Sequence, residues 1–390
     1  MSVANRPPLS AALCLSLLFA VPVAGASGLR SGDTGMDEIL NTETAVVDLS
    51  ALSGLDGLVE TLASKRVVYV GESHDRYEDH LNQLSVIRGL HEKDIPLAIG
   101  MEFFQQPFQP HIDAFIAGEI GEKEMLRRTD YFERWRYDYR LYRPILRYAR
   151  DHGIPVIALN IEREITEKVG DGGIASLSEE ERARIPAEID RDDEAYRDRV
   201  KAVFDHHPAA GEKNFEHFLE VQLLWDEGMA ERAAEYLKAH PGVSMVILAG
   251  SGHLEYGQGI PNRLARRLPV ESAIVLNGTM RSLEPDVADY LLYPRRVELP
   301  ASGLLGVFLD TEAEGDGVAV QGFSEGSGAK SAGMEENDRI VKVGDEQIQS
   351  YADIRIALIG SRPGQKMPVE VLRSHLIGAD ERLSLEVELH

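Results

Sequence analysis

The sequence predicts an α/β domain with a mostly parallel sheet and helical cap or insertions, followed by a small β-rich domain. Three observations support this fold class: a length of 390 residues, five short apolar runs separated by segments of helical periodicity, and a change to short alternating strands with glycine turns after residue 298. Because a single hydrophobic core stops growing at roughly 250–300 residues, we expect two folded units. We predict a secretory signal peptide over 1–26, the α/β domain over 27–298 and the β-rich domain over 299–390.

The first 26 residues have the pattern of a secretory signal peptide. Arg6 precedes an apolar run from Leu9 to Val23, which ends at Ala24-Gly25-Ala26. The run is shorter than the about 20 apolar residues that a membrane-spanning helix needs. Leu13, not a small residue, precedes Cys14, so we expect no lipid anchor. We therefore expect export to the periplasm or cell envelope, and whether the signal peptide is cleaved stays open.

The charge and cysteine content exclude several classes of protein. Lys and Arg number 41 against 65 Asp and Glu, which gives a net charge of −24. A chain this acidic repels phosphate backbones, so we expect no nucleic-acid partner. Its single cysteine, Cys14, lies in the predicted signal peptide. Disulfide scaffolds, cysteine-ligated zinc and thiol catalysis are therefore excluded for the mature chain.

The five apolar runs are typical of strands that are buried on both faces of a parallel sheet. They are Val67-Val68-Tyr69-Val70, Leu97-Ala98-Ile99, Val156-Ile157-Ala158-Leu159, Met245-Val246-Ile247-Leu248-Ala249 and Ala273-Ile274-Val275-Leu276. Between the first two, apolar residues recur at spacings of three from Leu81 to Leu90, which predicts an amphipathic helix. The two long connections, 106–152 and 162–242, are polar with helical periodicity. We interpret them as helical insertions or a cap over the sheet.

Polar side chains follow each predicted strand. In open α/β sheets, ligands bind outside the carboxyl ends of the strands, so we expect these side chains to meet in one crevice. The alternative is that polar loops simply begin where strands end. The segments are Gly71-Glu72-Ser73-His74-Asp75, Gly100-Met101-Glu102-Phe103-Phe104, Asn160-Ile161-Glu162-Arg163, Gly250-Ser251-Gly252-His253 and Asn277-Gly278-Thr279.

Two glutamates and two histidines of this set suit two kinds of chemistry. Imidazole and carboxylate groups ligate zinc, manganese or iron, so Glu72, His74, Glu102 and His253 are candidate metal ligands. Without a metal, the same four can carry acid–base catalysis, with a histidine as base and a glutamate orienting it. No serine has the Gly-x-Ser-x-Gly spacing, which disfavours a serine hydrolase. We expect His80, on the first helix, to be a surface or capping residue.

The segment from Tyr131 to Arg150 contains five Tyr, one Phe, one Trp and six Arg. Such a segment can hold a planar anionic ligand, with rings on its face and guanidinium groups on its carboxylates, and Tyr139 and Arg143 are candidate contacts. The alternative is an amphipathic helix whose aromatic residues enter the core and whose arginines pair with surface acids. The acidic stretch from Glu179 to Asp198 is expected to be an exposed helical face. His206-His207-Pro208 is a further candidate for metal or haem, with a plain loop as the alternative.

The turns around Glu72, Glu102 and His253 resemble the ChaN family of the haem-binding uptake and Tiki superfamily. The resemblance covers about residues 45–290 and includes Asn160 with Arg163 and the stretch Gln222…Trp225-Asp226…Met229-Ala230. It implies an α/β core with a helical cap, export to the cell envelope and association with haem or iron. It also implies Asn160 and Arg163 as candidate cofactor contacts. ChaN-type proteins are lipoproteins, and Leu13-Cys14 departs from that pattern.

The superfamily also includes Tiki-type metal-dependent proteases and erythromycin esterases. The resemblance to them implies that Glu72, His74, Glu102 and His253 form a functional cluster, catalytic if the protein is an enzyme. Two functions therefore stay open: an exported haem- or iron-binding protein of iron or haem uptake, or a hydrolase or peptidase that depends on a divalent metal such as Mn or Zn. We expect haem or a small ligand in the crevice, and leave homodimer formation open.

The region after residue 298 resembles a bacterial PDZ domain, with the helix-starting pattern of Ala332, Gly333 and Asp338. PDZ domains add a peptide strand to a sheet edge and hold its terminal carboxylate on loop amides. The corresponding loop is Leu304-Leu305-Gly306-Val307, and its implied partner is a protein C-terminus or peptide. The alternative is a module that only packs on the first domain. One short helix is expected over Tyr351 to Ile359.

Overall fold

The computed structural model describes residues 47–206, 214–279, 281–284, 286–375 and 379–390. The predicted signal peptide and His207 lie outside these residues. Among the described residues, no helix is both long enough and apolar enough to cross a membrane. The chain divides into two compact units. One comprises the chain up to Pro107 together with Ile154–Arg296, and the other comprises Phe108–Gly153 together with Val297–His390.

The first unit contains a six-stranded sheet in which every neighbouring pair is parallel. All five predicted strands are present, which confirms the α/β prediction. Their continuous apolar character is explained by burial, since β1 and β4 have almost no exposed residue. The strands are β1 Val67–Glu72, β2 Leu97–Gln105, β3 Val156–Asn160, β4 Ser244–Gly250, β5 Ser272–Asn277 and β6 Tyr290–Leu292.

The strand order, β3-β2-β4-β1-β5-β6, creates a switch point between β4 and β1. The connection from β1 leads to β2 on one side of this pair, whereas the connection from β4 leads to β5 on the other side. Crevices form outside the carboxyl ends of strands at such a point. Glu72 is in register with Gly250 at the ends of β1 and β4, so both lie at the mouth of the crevice.

Helices fill the connections, as predicted for both long insertions. In the first unit they are α1 Leu55–Leu62, α2 Tyr77–His91, α7 Arg163–Gly172, α8 Glu179–Arg182, α9 Glu194–Asp205, α10 Phe215–Ala239 and α11 Ile260–Arg267. The insertion after β2 carries α3 Gln109–Ile116, α4 Glu122–Arg128, α5 Tyr131–Arg134 and α6 Tyr139–His152. By its contacts this insertion belongs with the C-terminal residues, in the second unit.

The buried face of α2 differs from the predicted one. Leu81 and Leu84 are only half-buried, whereas His80 and Gln83 are fully buried together with Leu90. The apolar pattern is correct for the second half of the helix, where Ile87 and Leu90 are buried. It is wrong for the first turns, because these face polar groups at the end of β1 and not the apolar core.

The core of the first unit lies between the sheet and α10. Ala230, Ala233 and Ala234 of that helix are buried in one cluster with strand residues such as Tyr69 and Ile247. Small residues allow the helix backbone to approach the sheet closely. Asp226, one turn before this alanine face, is thereby held at the level of the strand ends.

The second unit contains an antiparallel sheet in the order β12-β11-β9-β8-β7, with β10 paired to β9. Its strands are β7 Val307–Asp310, β8 Val318–Phe323, β9 Arg339–Val343, β10 Glu346–Gln347, β11 Lys366–Arg373 and β12 Glu381–Glu388, and its helices are α12 Gly328–Ser331 and α13 Tyr351–Ala357. The helix predicted over Tyr351 to Ile359 corresponds to α13. A separate apolar core includes Leu305 and Ile354. The prediction of a small β-rich domain is therefore confirmed.

Within the second unit, the insertion helices contact the helix α13 and the short strand β10 before it. Glu346 makes ion pairs with Lys123 and with Arg127, at 3.0 and 2.8 Å, and Arg127 also lies 3.5 Å from Asp353. The Arg355 guanidinium stacks on the Phe132 ring, 4.9 Å from its centroid. These contacts tie a segment from the middle of the sequence to the C-terminal sheet.

Candidate active site

Glu72 lies at the centre of a buried hydrogen-bond network at the end of β1. His74 Nδ1 donates to Glu72 Oε1 at 2.7 Å, and His80 Nδ1 lies 2.8 Å from Oε2. Gln83 Nε2 donates to the same Oε2 at 3.0 Å. Burial alone would raise the pKa of Glu72, but the two imidazoles outweigh burial and hold that pKa well below its usual range. Glu72 is therefore a carboxylate that orients His74.

The expectation that His80 is a surface or capping residue was wrong. His80 is 1% exposed, and its Nε2 donates to the carbonyl oxygen of His74 at 3.2 Å. Burial would lower the pKa of His80, but the charge of Glu72 and its hydrogen bond raise the pKa overall. His80 thus holds both the carboxylate and the backbone of the Glu72–His74 pair.

A second buried chain of polar groups runs through His253. Its Nδ1 donates to Asp226 Oδ1 at 2.6 Å, and its Nε2 lies 3.3 Å from Glu102 Oε1. On the far side, the Tyr196 hydroxyl donates to Asp226 Oδ2 at 2.7 Å. Burial by itself lowers the pKa of His253, but the carboxylates of Asp226 and Glu102 raise it to about 10. His253 is thus an imidazolium at neutral pH.

Gly250 brings the two networks together at the end of β4. Its backbone N–H donates to Glu102 Oε2 at 2.6 Å. A Cβ at this position would lie 3.2 Å from His74 Nε2 and 3.6 Å from Glu102 Oε2. His74 and Glu102 therefore flank the same small space above the Gly250 Cα. Only glycine leaves this space open, because any side chain would meet the His74 ring.

The predicted metal site is not seen. Within the described parts of the chain, no group of three or more His, Cys, Asp or Glu side chains is arranged to hold a metal ion. The physical reason is that the candidate donors pair with one another: His74 Nδ1 is directed at Glu72, and both nitrogens of His253 face carboxylates. The arrangement suits proton transfer between a histidine and a glutamate.

The residues of this crevice do not fit haem. A haem site needs a side-chain nitrogen, oxygen or sulfur that can reach the iron as an axial ligand. It also needs cations that pair with the haem propionates. Glu72 is 1% exposed and His74 8%, and both His253 nitrogens face acids. Besides Glu72, the crevice buries the acidic groups of Glu102 and Asp226. His253 holds the carboxylates of both Glu102 and Asp226, so these three side chains offer haem no axial ligand here.

The four predicted cofactor contacts lie in two places. Asn160 Oδ1 accepts the N–H of Ile161, and Arg163 Nε donates to Glu167 at 2.6 Å. Tyr139 and Arg143 lie in the second unit. The Tyr139 hydroxyl and the Arg143 guanidinium both donate to one carboxylate, that of Glu122. A ligand at these four residues stays a prediction.

The Tyr131–Arg150 segment has the organisation of the packing alternative. Its buried aromatic residues include Tyr139 and Tyr142, and its arginines pair with acids such as Glu122 and Asp138. Of the predicted His206-His207-Pro208 site, His206 is directed at the Ala202 carbonyl of the preceding helix, and the other two residues lie outside the described chain.

Sequence reasoning missed three groups of the site: Asp226, Tyr196 and the pair of His80 with Gln83. Asp226 lies in the stretch that supported the family resemblance, but nothing in its spacing marks it as the partner of His253, 27 residues away. Tyr196 lies in the acidic stretch expected to be exposed, yet it is 2% exposed. A His and a Gln three residues apart at a helix start, directly after a strand-end Glu, are the one local signal that could have found the third group.

Backbone hydrogen bonds to three other segments hold the loop before β7. The carbonyl oxygens of Leu304, Leu305 and Gly306 accept backbone N–H groups of His390, Ala329 and Ser324. The carbonyls are thus directed inward. Gly306 has φ +76°, and a Cβ there would meet the His390 ring at 2.4 Å, so the turn requires glycine.

Comparison with known proteins follows the division of the chain. The family model described as haem-binding uptake, Tiki superfamily, ChaN matches residues 58–264, and a PDZ model matches residues 303–389. Protein RETICULATA-RELATED 5, chloroplastic, of Arabidopsis thaliana is 25% identical over an alignment of 264 residues that covers 60% of this chain. The chain spans only 35% of that curated relative's length.

Two solved structures are similar to separate parts of the chain. One shows cofacial haem binding to ChaN of Campylobacter jejuni; it is 17% identical and covers 60% of this chain and 90% of its own, with a TM-score of 0.49. The other, the HtrA3 PDZ domain bound to a phage-derived ligand, is 18% identical and covers 23% of this chain and 85% of its own, with a TM-score of 0.19. Since the first family model matches more than half of the sequence, the chain belongs to the ChaN family of the haem-binding uptake and Tiki superfamily, and it carries a PDZ domain after the α/β region.

Proposed function

We propose that the α/β unit is a hydrolase that cleaves an ester or amide bond by acid–base catalysis between two histidine–glutamate pairs. The observation that carries this proposal is the space above Gly250, which His74 Nε2 and Glu102 Oε2 flank at 3.2 and 3.6 Å from the position of a Cβ. A water oxygen and a reacting carbonyl carbon need a base on one side and a proton donor on the other.

Each pair has the hydrogen bonds that its role requires. Glu72 accepts the Nδ1 proton of His74, which leaves Nε2 as the basic nitrogen. This nitrogen takes a proton from water while the water oxygen bonds to the carbonyl carbon. The Glu102–His253 pair holds a second proton, since the pKa of His253 is raised to about 10 by Asp226 and Glu102. The proton on His253 Nε2 passes through the Glu102 carboxylate, whose Oε1 lies 3.3 Å away, to the leaving group as the bond between carbon and the leaving group breaks. The proton that His74 took from water then restores the His253 imidazolium.

The test is hydrolysis of a panel of chromogenic esters and peptides by the full chain and three variants. Glu72→Gln and His74→Gln should each lower kcat by roughly 10²–10⁴-fold, the usual contribution of a general base. Glu271→Gln removes an exposed carboxylate that pairs with Lys65, so it should leave kcat unchanged. Equal turnover in all three variants would refute acid–base catalysis at this site.

The same panel of substrates distinguishes the proposed mechanism from that of a metal-dependent hydrolase. Treatment with a chelator, followed by Mn(II) or Zn(II), should leave the rate unchanged, because the candidate donors are paired with each other. Loss of activity on chelation and recovery with one metal would favour the metal-dependent hydrolase over the proposal.

A second candidate function is haem binding, which the family description favours. The described crevice does not fit haem, so we propose that any haem site in this chain lies away from His253. Titration of the full chain with haemin should then give a Soret shift that His253→Gln leaves intact. A Soret shift that His253→Gln abolishes would place haem in the crevice and contradict the acid–base assignment. A role in iron or haem uptake depends on this titration, whereas export is proposed from the signal-peptide pattern of the first 26 residues.

We further propose that the PDZ domain binds protein C-termini. Strand β7 lies at the end of its sheet. The Leu304 amide of the adjoining loop donates to His390, so the amides of Leu305 and Gly306 are the groups that would hold a carboxylate. In the hydrolase reading, the domain presents substrate to the α/β unit. In the haem reading, it recruits a partner protein.

A further inference from the structure

The helix that accompanies the open sheet edge carries an unusual arginine. Among the described residues, β7 pairs with β8 and with no other strand, so its outer edge is available to a peptide. Helix α13 shares an apolar core with this strand, since Ile354 packs in the same cluster as Val307 and Leu309. Arg355 follows Ile354 directly and lies one helical turn after Tyr351, so both lie beside the face that meets the core.

Two aromatic rings hold the guanidinium of Arg355. It stacks 4.9 Å from the centroid of Phe132, which belongs to the helical insertion, and 5.7 Å from that of Tyr351. Its Nη1 also donates to the Tyr351 hydroxyl at 3.0 Å. A guanidinium stacked on aromatic faces is fixed in orientation but keeps its edge for a planar acceptor.

Arg355 differs from the neighbouring arginines in its ion pairing. Arg127, Arg140 and Arg143 of the insertion each make an ion pair with a carboxylate. Within the described part of the chain, Arg355 makes none. Asp138 is near enough to be influenced by its charge, but that carboxylate is bound by Arg140 through both oxygens. An oriented guanidinium of this kind matches a carboxylate group on a ligand.

The PDZ part of the chain exposes large apolar side chains on three elements. Leu304, Phe308 and Tyr351 are among the most exposed large apolar side chains of the described chain, at 53, 57 and 42%. They come from the loop, the edge strand and the helix. A ligand with apolar groups and one acidic side chain therefore complements this surface, even though the whole chain has a net charge of −24.

We propose that the insertion and the PDZ helix together form a selectivity site for acidic side chains, in which Phe132 holds Arg355 toward a bound peptide. The inference rests on the proposed peptide binding and names the ligand class: protein C-termini that carry a Glu or Asp upstream of an apolar terminal residue. In the sequence, the insertion lies within the α/β domain. Peptide recognition by the PDZ sheet therefore depends on a segment from outside the PDZ domain.

The experiment measures fluorescence anisotropy of labelled peptides with free C-termini on the full chain. The peptides form matched sets that differ only by Glu, Gln or Lys at one upstream position. The Glu peptide should bind about tenfold more tightly than its Gln partner, as expected for a charge-assisted pair. Arg355→Gln should abolish this preference while keeping the affinity for the Gln peptide. Arg382→Gln, which removes an exposed arginine on β12 at the opposite edge, should keep it.

Phe132→Leu tests whether the insertion contributes to the preference for acidic peptides. It keeps an apolar side chain in the buried position but removes the ring face, so the preference for Glu should fall while the melting temperature of the unit stays close to wild type. Equal affinity for Glu and Gln peptides, or a preference that survives Arg355→Gln, would overturn the inference. Binding of no peptide at all would instead refute the proposed peptide function and remove this inference with it.

Discussion

Asp226→Asn is the sharpest test of the buried hydrogen-bond network through Asp226, His253 and Glu102. The substitution keeps the volume and one hydrogen-bond acceptor of Asp226 but removes its charge from beside the imidazolium of His253, 2.6 Å away. Removing one partner of a buried ion pair typically costs about 3–5 kcal/mol. Because the amide keeps one contact and Glu102 still faces the ring, we expect a loss of about 3 kcal/mol in the free energy of unfolding at neutral pH.

The pH dependence follows from the direction of the shift. Since the pKa of folded His253 is raised to about 10, above its value in the unfolded chain, the stabilisation is fully present below about pH 6.5 and is lost as pH rises toward 10. The difference in stability between wild type and Asp226→Asn should therefore shrink at alkaline pH. The variant should also bring the pKa of His253 down toward its ordinary value.

Two assays measure these effects: denaturant unfolding at several pH values, and NMR titration of the His253 ring proton, assigned with a His253→Gln sample. Tyr196→Phe is the matched control, because it removes only the hydroxyl on the other side of Asp226. It should cost about 1 kcal/mol and leave His253 protonated. A wild-type His253 that titrates near pH 6.5, or a titration that Asp226→Asn leaves unchanged, would refute the reasoning.

Three more predictions concern other parts of the chain. Gly250→Ala should remove hydrolytic activity while the fold persists, because the new Cβ occupies the space between base and acid. Burial raises the pKa of Asp79 to about 6 despite its hydrogen bonds, so wild type should gain about 2 kcal/mol of stability as pH falls from about 6 to about 4, and Asp79→Asn should show no such gain in denaturant titrations. Arg373→Ala strips the buried carboxylate of Asp338 of its ion pair and should destabilise the PDZ domain by about 3 kcal/mol, whereas Arg382→Ala, at an exposed pair, should cost under about 1 kcal/mol in calorimetry.

Local patterns in the chain were enough to predict the sheet and the central side chains of the crevice. Continuous apolar runs mark strands with both faces covered, and parallel strands end at one edge of the sheet, so Glu72, Glu102 and His253 were predictable as neighbours. The signal is local in each case: four or five apolar residues followed by a polar group. The small β-rich domain was predictable for the same reason, from its glycine turns and short strands.

Tertiary structure decided which groups share protons. His253 pairs with Asp226 on a helix 27 residues earlier, and Asp226 in turn with Tyr196, 30 residues before it. No periodicity links such positions, since the contact depends on how the 25-residue helix α10 crosses the sheet. From the residue types alone, a metal site and proton transfer were both possible. The pairing of the histidines with carboxylates favours proton transfer.

The partners of the insertion likewise could not be predicted from local sequence patterns. Its amphipathic pattern predicted helices, and its aromatic residues and arginines allowed either packing or ligand binding. The choice came from partners distant in sequence: Glu346 and Asp353, more than two hundred residues after Arg127, are the carboxylates that its side chain meets. Short-range order is written in neighbouring residues, whereas ion pairing across the fold depends on which surfaces the hydrophobic cores bring together.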